Sequence, residues 1–550
     1  MADQVPVQKK TRKTLGPKVT SGCITCKKRR VKCDELHPYC KRCEKFGAEC
    51  EGYTKAPAAA DSRRHIARPL LPNTKVLCRP PATVSQLFSS NQEFGYFQRF
   101  CIQNVRQLTG LQESELWSRH VLQASEMEPC VRHAVMAIGA LDFSKRGLET
   151  GGLKMGQRGS GQVATLEPFE TNRLEFAYRE YGKAISCLKA AIAQKKLSIR
   201  TSLLTSLLFI CFETYHGNSD SASAQVYAGL EVMDQYSRQR KLEVVKPNTL
   251  IPPPIDDDIV EMFSMLEIQA TSWGDKRRSS LHLQRKQDCE AAIGKFPREF
   301  KDQRHASRTL NLIGLRGIHL RLSEGNKGIV PSSEESTRAA IITLGPLVSE
   351  PQHAELRSVL SMFRQWAIAY EPYLRSVRGS GSNKERKDGA SMLYMHYLAM
   401  SLWVAPGAPT LDSYYRCHTK ELQELVSLSK AMSIENQDFF SLEFRIVMPL
   451  QVVALNYRHR TLRREALTIF SSVPRREGMW DATMVTKVLE WISAIEEEGL
   501  GDEEYVPEDG IATMTALKVD AENRSAYVQC IQGVRGCQGQ TILKENTVYW

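Results

Sequence analysis

No apolar run in this chain is long enough to cross a bilayer. The longest, Leu203 to Phe212, is interrupted by Thr205 and Ser206 and falls short of the ~20 residues that a span requires, so no membrane partner is expected. Residues 1–20 are polar and basic and lack the apolar segment of a secretory leader, which sets the expectation that the chain does not reach an oxidising compartment. Motifs for catalysis are also missing. There is no H-E-x-x-H, no G-x-S-x-G and no dinucleotide fingerprint. The glycine-rich stretch Gly151 to Gly161 lacks the Gly-Lys-Ser/Thr ending of a phosphate loop and follows no evident strand, so it reads as a linker. The twelve histidines are scattered, and His133 and His216 fall in helical contexts where a partly buried, satisfied histidine is the default. No enzyme is expected.

Charge is unevenly spread. The 550 residues carry a net charge of +12 with an ordinary hydrophobic fraction of 42%. Residues 1–60 hold fourteen Lys or Arg against six Asp or Glu, so +8 of that charge lies in the first tenth of the chain. This is the distribution of a basic, nucleic-acid-binding head on a near-neutral body. Lys9, Lys10, Arg12 and Lys13 have a nuclear-import composition, for which a solvated charge run is the competing reading.

Six cysteines, Cys23, Cys26, Cys33, Cys40, Cys43 and Cys50, spell C-x2-C-x6-C twice, the second copy seventeen residues after the first. Two-residue gaps let a pair of thiolates grip one metal, and six thiolates cannot give two tetrahedral zinc ions four sulfurs each unless two are shared. The spacing favours a two-zinc cluster with two bridging sulfurs. Lys27-Lys28-Arg29-Arg30-Val31-Lys32 places five cations in six positions, expected on a short helix leading into Cys33 and suited to phosphates and major-groove base edges. The other nine cysteines sit singly, and Cys101, Cys187 and Cys211 read as buried small hydrophobes.

The stretch Gly22 to Glu35, followed by Pro38-Tyr39-Cys40-Lys41-Arg42-Cys43 and Gly47 to Tyr53, resembles the fungal binuclear zinc cluster transcription factors. The resemblance covers about thirty residues. It implies that Cys23 and Cys40 bridge two zinc ions while Cys26, Cys33, Cys43 and Cys50 are terminal, and that Pro38 turns the chain between halves. It further implies that Arg29 and Arg30 read bases, typically in a CGG triplet, and that Lys27 and Lys32 contact the backbone; Lys41 and Arg42 are expected to join them in holding the phosphates of double-stranded DNA. Arg30 departs from the family's usual lysine, and an arginine fork can take guanine O6 and N7 together where lysine is a point donor.

Beyond the cluster, Pro57, Pro69, Pro72, Pro80 and Pro81 break any heptad before three repeats accumulate, so residues 54–92 read as a linker and not as a coiled coil. From about residue 93 apolar residues recur at helical steps, as in Phe94, Phe97, Cys101, Val105 and Leu108. Further helical patterns cover 130–141, 176–192, 203–215, 226–233, 258–269, 355–370, 390–403, 420–433, 445–457 and 484–497, and alternating strand patterns are scarce. Phe176 to Ile185 and Leu207 to Glu213 resemble the fungal-specific regulatory domain that accompanies these clusters. Arg378 to Gly389 reads as an exposed polar stretch, and Lys276 to Ser280 as a solvated loop or a basophilic kinase site. Glu496 to Asp509 alternates acidic residues with Leu500, Tyr505 and Val506, which fits either an activation segment that engages coactivators or a charged helix end and loop.

The combined expectation is a small zinc-folded binuclear cluster head plus a large mostly all-α regulatory domain, joined by a flexible linker. Its parts are a basic arm (1–20), the cluster (21–53), the Pro-rich linker (54–92), the helical regulatory domain (93–498), and an acidic segment with a C-terminal tail (499–550). The expected role is a nuclear, DNA-binding regulator of RNA polymerase II genes, an activator in family habit, answering a small-molecule effector and governing a metabolic gene cluster. The competing reading is a zinc-folded protein interaction module that reads no bases.

Overall fold

The computed structural model describes residues 22–53, 87–110, 114–152, 168–244, 255–275, 277–323, 350–379, 381–405, 411–435, 439–472, 474–536 and 539–550. The nuclear-import candidates Lys9, Lys10, Arg12 and Lys13, and residues 54–86 of the expected linker, lie outside them, as does most of the glycine-rich stretch before Gly161. The chain divides into two units, a head and a body.

The head contains two short helices, α1 (Ile24–Lys28) and α2 (Lys41–Glu44). The body opens with α3 (Asn91–Arg99), α4 (Val105–Thr109), α5 (Val121–Met127), α6 (Pro129–Gly152), α7 (Pro168–Ala193), α8 (Ile199–His216) and α9 (Ser219–Val244). It continues through α10 (Asp257–Trp273), α11 (Ser279–Ile293), α12 (Gln303–Ser323), α13 (Glu350–Gly379), α14 (Lys384–Val404), α15 (Leu411–Cys417) and α16 (Thr419–Glu435). After α17 (Val447–Asn456), α18 (Arg460–Ser472) and α19 (Ala482–Glu497) the chain turns to strands.

Local chemistry sets many of these boundaries. Proline stands first in α6 and α7, where its missing N–H is no loss. Side-chain oxygens of Ser198, Asn383 and Asp481 accept the first free amides of α8, α14 and α19. The buried carboxylate of Glu477 does the same for α17, accepting from the amides of Arg445 at 2.7 Å and Val447 at 2.9 Å. Apolar on every side, α8 buries Leu203, Leu204, Leu207, Leu208, Phe209, Ile210, Cys211 and Phe212 beneath α6 and α9. Each such side chain contributes roughly 1.5–3 kcal/mol relative to exposure. Gly139 in α6 lies under the main chain of Tyr96 in α3, and a Cβ there would stand 2.1 Å from its carbonyl oxygen. Neighbouring helices pack as successive pairs, notably α6 on α7, α11 on α12, α13 on α14 and α17 on α18.

The body is mostly helical, as expected, but it ends in a sheet that the sequence reading did not contain. Strands β4 (Ala512–Asp520), β5 (Ser525–Gly533) and β6 (Thr541–Tyr549) form an antiparallel sheet with β5 central; β1 (Phe440–Ser441), β2 (Arg476–Glu477) and β3 (Trp480–Asp481) form a second, smaller one. Ala526, Val528, Cys530 and Gln532 of β5 alternate inward, and α19 packs against this sheet. A tail from residue 499 was expected because β6 is exposed along most of its length and shows no clean alternation.

Other expectations also change. Arg378 to Gly389 is mostly exposed, as expected, but its backbone is mostly helical, the end of α13 and the start of α14, because Asn383 caps the second helix. Arg277 is no solvated loop residue; it is half-buried and paired with Glu267 at 2.9 Å and Asp275 at 2.7 Å. The acidic stretch is folded into the body. Glu496 is fully buried against Arg463 at 2.7 Å, and Glu497 meets Arg460 at 3.0 Å and Arg464 at 2.6 Å. Val506 is buried and the Tyr505 hydroxyl meets that of Tyr457 at 3.1 Å. Leu500 and Tyr505 are half-buried. No helix among the described residues is long and apolar enough to cross a membrane.

Candidate metal centre and nucleic-acid interface

The seventeen-residue sequence duplication is a duplication of structure. Cys23 caps α1, its sulfur accepting the Cys26 amide at 3.3 Å; Cys40 caps α2 and accepts the Cys43 amide at 3.3 Å. The Cys23 amide points at the Cys33 sulfur at 3.4 Å, and the Cys40 amide at the Cys50 sulfur at 3.5 Å. Both helices end alike. The Val31 amide reaches back to the Cys26 carbonyl and the Arg30 amide to that of Lys27, each at 3.1 Å; Ala48 and Gly47 repeat the pattern on Cys43 at 3.1 Å and Glu44 at 3.0 Å. Left-handed residues recur too, Arg30 and Glu35 in the first half and Gly47 and Gly52 in the second.

This closure corrects one expectation. The helix stops at Lys28 and does not carry all five cations to Cys33. Arg30 takes the left-handed position (φ 55°), which reverses the chain so that Cys33 returns to the other sulfurs. Glycine normally signals such a stop, and its absence at position 30 hid the stop in the sequence.

The thiols are gathered as a metal site requires. Sulfur separations are 3.6 Å for Cys23 and Cys40, 3.8 Å for Cys23 and Cys43, and 3.7 Å from Cys26 to each of Cys40 and Cys43. A tetrahedron with Zn–S bonds of ~2.3 Å has edges of ~3.8 Å, so the donor set fits zinc. The Cys40 sulfur also lies within 4.8 Å of that of Cys33. Burial pushes the Cys23 thiol up to about 12, whereas at Cys33 burial is outweighed by hydrogen bonds from the Cys23 and Glu35 amides, which bring the thiol down to about 6. The halves are tied together by Thr25, whose hydroxyl donates to the Glu49 carbonyl at 3.2 Å and accepts from the Glu51 amide at 2.9 Å. The Tyr53 hydroxyl adds a bond to the Leu36 carbonyl at 3.0 Å. Pro38 follows a cis bond between the halves.

Charge breaks the symmetry. Lys27 and Lys32 of the first half correspond to Glu44 and Glu49 of the second. Lys27, Arg30, Lys32, Lys41 and Arg42 are exposed, whereas Lys28 is engaged with Glu51 at 2.7 Å. Arg29 is half-buried, its guanidinium 3.3 Å above the Phe46 ring. The sequence reading did not single out Phe46; the seventeen-residue offset, which makes it the counterpart of Arg29, was the available signal.

Residues singled out elsewhere have structural partners. His133 meets the buried Glu180 at 2.6 Å, and His216 meets the Tyr178 hydroxyl. Cys211 is buried, while Cys101 and Cys187 are only half-buried. The helical body adds an ion cluster absent from the sequence reading. Burial alone would raise the Glu267 carboxyl, but Arg285, His319 and Arg277 hold it well below the usual carboxylate range.

Residues 21–59 match the profile of the fungal Zn(2)-Cys(6) binuclear cluster domain. The chain is 29% identical over 266 residues to the aspercryptin biosynthesis cluster-specific transcription regulator atnN of Emericella nidulans, covering 45% of this chain and 39% of that protein. It is 26% identical over 255 residues to the transcription regulator lscL of Purpureocillium lilacinum, covering 43% of this chain and 55% of that one. A shorter match, 56% over 36 residues, joins 6% of this chain to 4% of arginine metabolism regulation protein II of Saccharomyces cerevisiae. The matches thus span about half or less of these relatives. No solved structure matches. Residues 21–59 are a Zn(2)-Cys(6) binuclear cluster domain, which takes two zinc ions on six cysteines, and the chain that carries it is related to fungal transcription regulators.

Proposed function

We propose that this protein is a nuclear, sequence-specific DNA-binding regulator of transcription that reads CGG-like sites. One observation carries the reading: on a pseudo-symmetric six-thiol head, the first half presents exposed Lys27, Arg30 and Lys32 where the second has Glu44, Gly47 and Glu49. One face is therefore built for a polyanion and its counterpart is not.

In this reading Cys23 and Cys40 bridge two zinc ions and Cys26, Cys33, Cys43 and Cys50 are terminal, supported by the place of the Cys40 sulfur near both Cys33 and the Cys23, Cys26, Cys43 group. Bound zinc supplies the cross-links that a head of this size cannot obtain from an apolar core. Arg29 and Arg30 read base edges, and Lys27, Lys32, Lys41 and Arg42 hold phosphates. The body regulates the head in answer to a small-molecule effector. A cavity of about 400 Å³ among α9, α10, α11 and α12, lined by Leu230, Met233, Val260 and Leu312 with Arg285, supports such a site. The name of the Emericella relative, a biosynthesis cluster-specific regulator, supports control of a metabolic gene cluster.

Replacing Arg29 and Arg30 with Glu in the full chain tests the reading. Specific DNA binding should be abolished while two zinc ions per chain remain. Unchanged occupancy of target DNA would instead favour a zinc-folded interaction module.

A further inference from the structure

We propose that Phe46 is a positioning residue for DNA readout, an aromatic platform in the second half of the cluster that holds the Arg29 guanidinium of the first half in its reading orientation. The inference rests on Arg29 acting as a base reader. Three observations support it. Arg29 and Phe46 occupy equivalent positions seventeen residues apart, so the two side chains meet where the halves face each other. The guanidinium carbon stands 3.3 Å from the ring centroid, a cation–π contact. Phe46 is 66% exposed, so it serves no core and its placement needs another explanation.

Nη1 of Arg29 is shielded from water and, among the described residues, has no hydrogen-bond acceptor. The Phe46 ring is the contact that holds the guanidinium. Stacking also settles the side chain before DNA arrives. A free arginine loses much of its rotamer freedom on binding, whereas one already held on a ring loses less. The second half thus gives up the cation that the duplication would have placed at position 46 and supplies the surface on which the first half's cation rests. The contact ties readout to the closure of the head, because Phe46 directly precedes the left-handed Gly47 that ends α2.

The test uses the zinc-loaded full chain and a duplex carrying its selected site. F46L keeps an apolar side chain but removes the ring, and F46Y keeps the ring. F46L should retain two zinc ions, bind the selected site about 5–10-fold more weakly, and lose base preference at one position. F46Y should restore both affinity and preference, which a merely structural loss would not do. F46L binding as tightly and as selectively as the native chain, or more tightly, overturns the platform. R29A separates the two layers of the argument: if it leaves binding and preference untouched, base reading by Arg29 fails and the platform with it. If R29A relaxes the same position while F46L does not, only the platform fails.

Discussion

The head and the body hold themselves together by opposite means. Among the described residues, the head's buried cluster is four cysteines, Cys23, Cys26, Cys40 and Cys43, with Val31, Cys33, Cys50 and Tyr53 packed against it. The body has a continuous apolar core that includes Trp117, Trp366, Trp480 and seven residues of α17 (Val447, Met448, Leu450, Val452, Val453, Ala454 and Leu455). A chain segment too small to bury an apolar core needs cross-links, and the metal is its cross-link; a large helical domain needs none. The same contrast recurs inside the head on a finer scale. Its two halves share a backbone plan, but the second spends glycine at both left-handed positions where the first places Arg30 and Glu35. Conformational ease belongs to the second half, and strain to the half that carries the exposed Lys27, Arg30 and Lys32.

The largest effect should come from removing the metal. A strong chelator should unfold the head and abolish DNA binding, since structural zinc supplies ~10–16 kcal/mol in comparable units. The helical signal and thermal transition of the body should persist, as followed by circular dichroism. Cys23→Ser should lose both zinc ions by native mass spectrometry, and Cys26→Ser only one; equal losses would break the bridging assignment.

The converse perturbation is Trp366→Ala. Trp366 is fully buried, donates from its indole nitrogen to the Ala306 carbonyl at 2.8 Å and stacks on Tyr370 and Tyr397. Its loss should cost the body about 3–5 kcal/mol in denaturant unfolding and leave the zinc content unchanged.

Acid should also separate the two regions. Burial lowers both His282 and His396 to about 4. A depressed histidine stabilises the folded state fully above its unfolded pKa of ~6.5 and loses that contribution as pH falls through its folded value. In chelator, where only the body is folded, its stability should fall between pH 6.5 and pH 4, by as much as about 3 kcal/mol per histidine, read as a lower melting temperature. His282→Asn should remove about half of that dependence.

The smallest effect concerns the halves of the head. Arg30→Gly should relieve a left-handed non-glycine residue and stabilise the zinc-loaded head by about 1 kcal/mol, measured by resistance to chelation, while weakening DNA binding. A gain in both properties would remove the reason for the asymmetry.

Much of the head was legible because its chemistry is local. Two-residue cysteine gaps and the seventeen-residue offset are visible in the chain, and they correspond to a repeated set of hydrogen bonds. The helical body was legible where apolar residues recur regularly, as in α8, α10 and α19. Less was visible where the cause is distant in sequence. The helix end at Lys28 depends on Arg30 adopting a conformation that its residue type disfavours. α18 is rich in arginine, and its burial depends on Glu496, thirty-three residues after Arg463. The terminal sheet was missed because β6 faces solvent along most of its length, although the alternation Ala526, Val528, Cys530 was there to be read. Phe46 was missed because an exposed aromatic on a zinc head has no meaning until Arg29 is seen above it.

The most direct measurement is selection of duplex DNA from a random pool by the zinc-loaded full chain, with bound zinc counted in the same preparation. The account predicts enrichment of CGG-containing sites, lost when Arg29 and Arg30 are both replaced by Glu. A head carrying two zinc ions that enriches no sequence would contradict it.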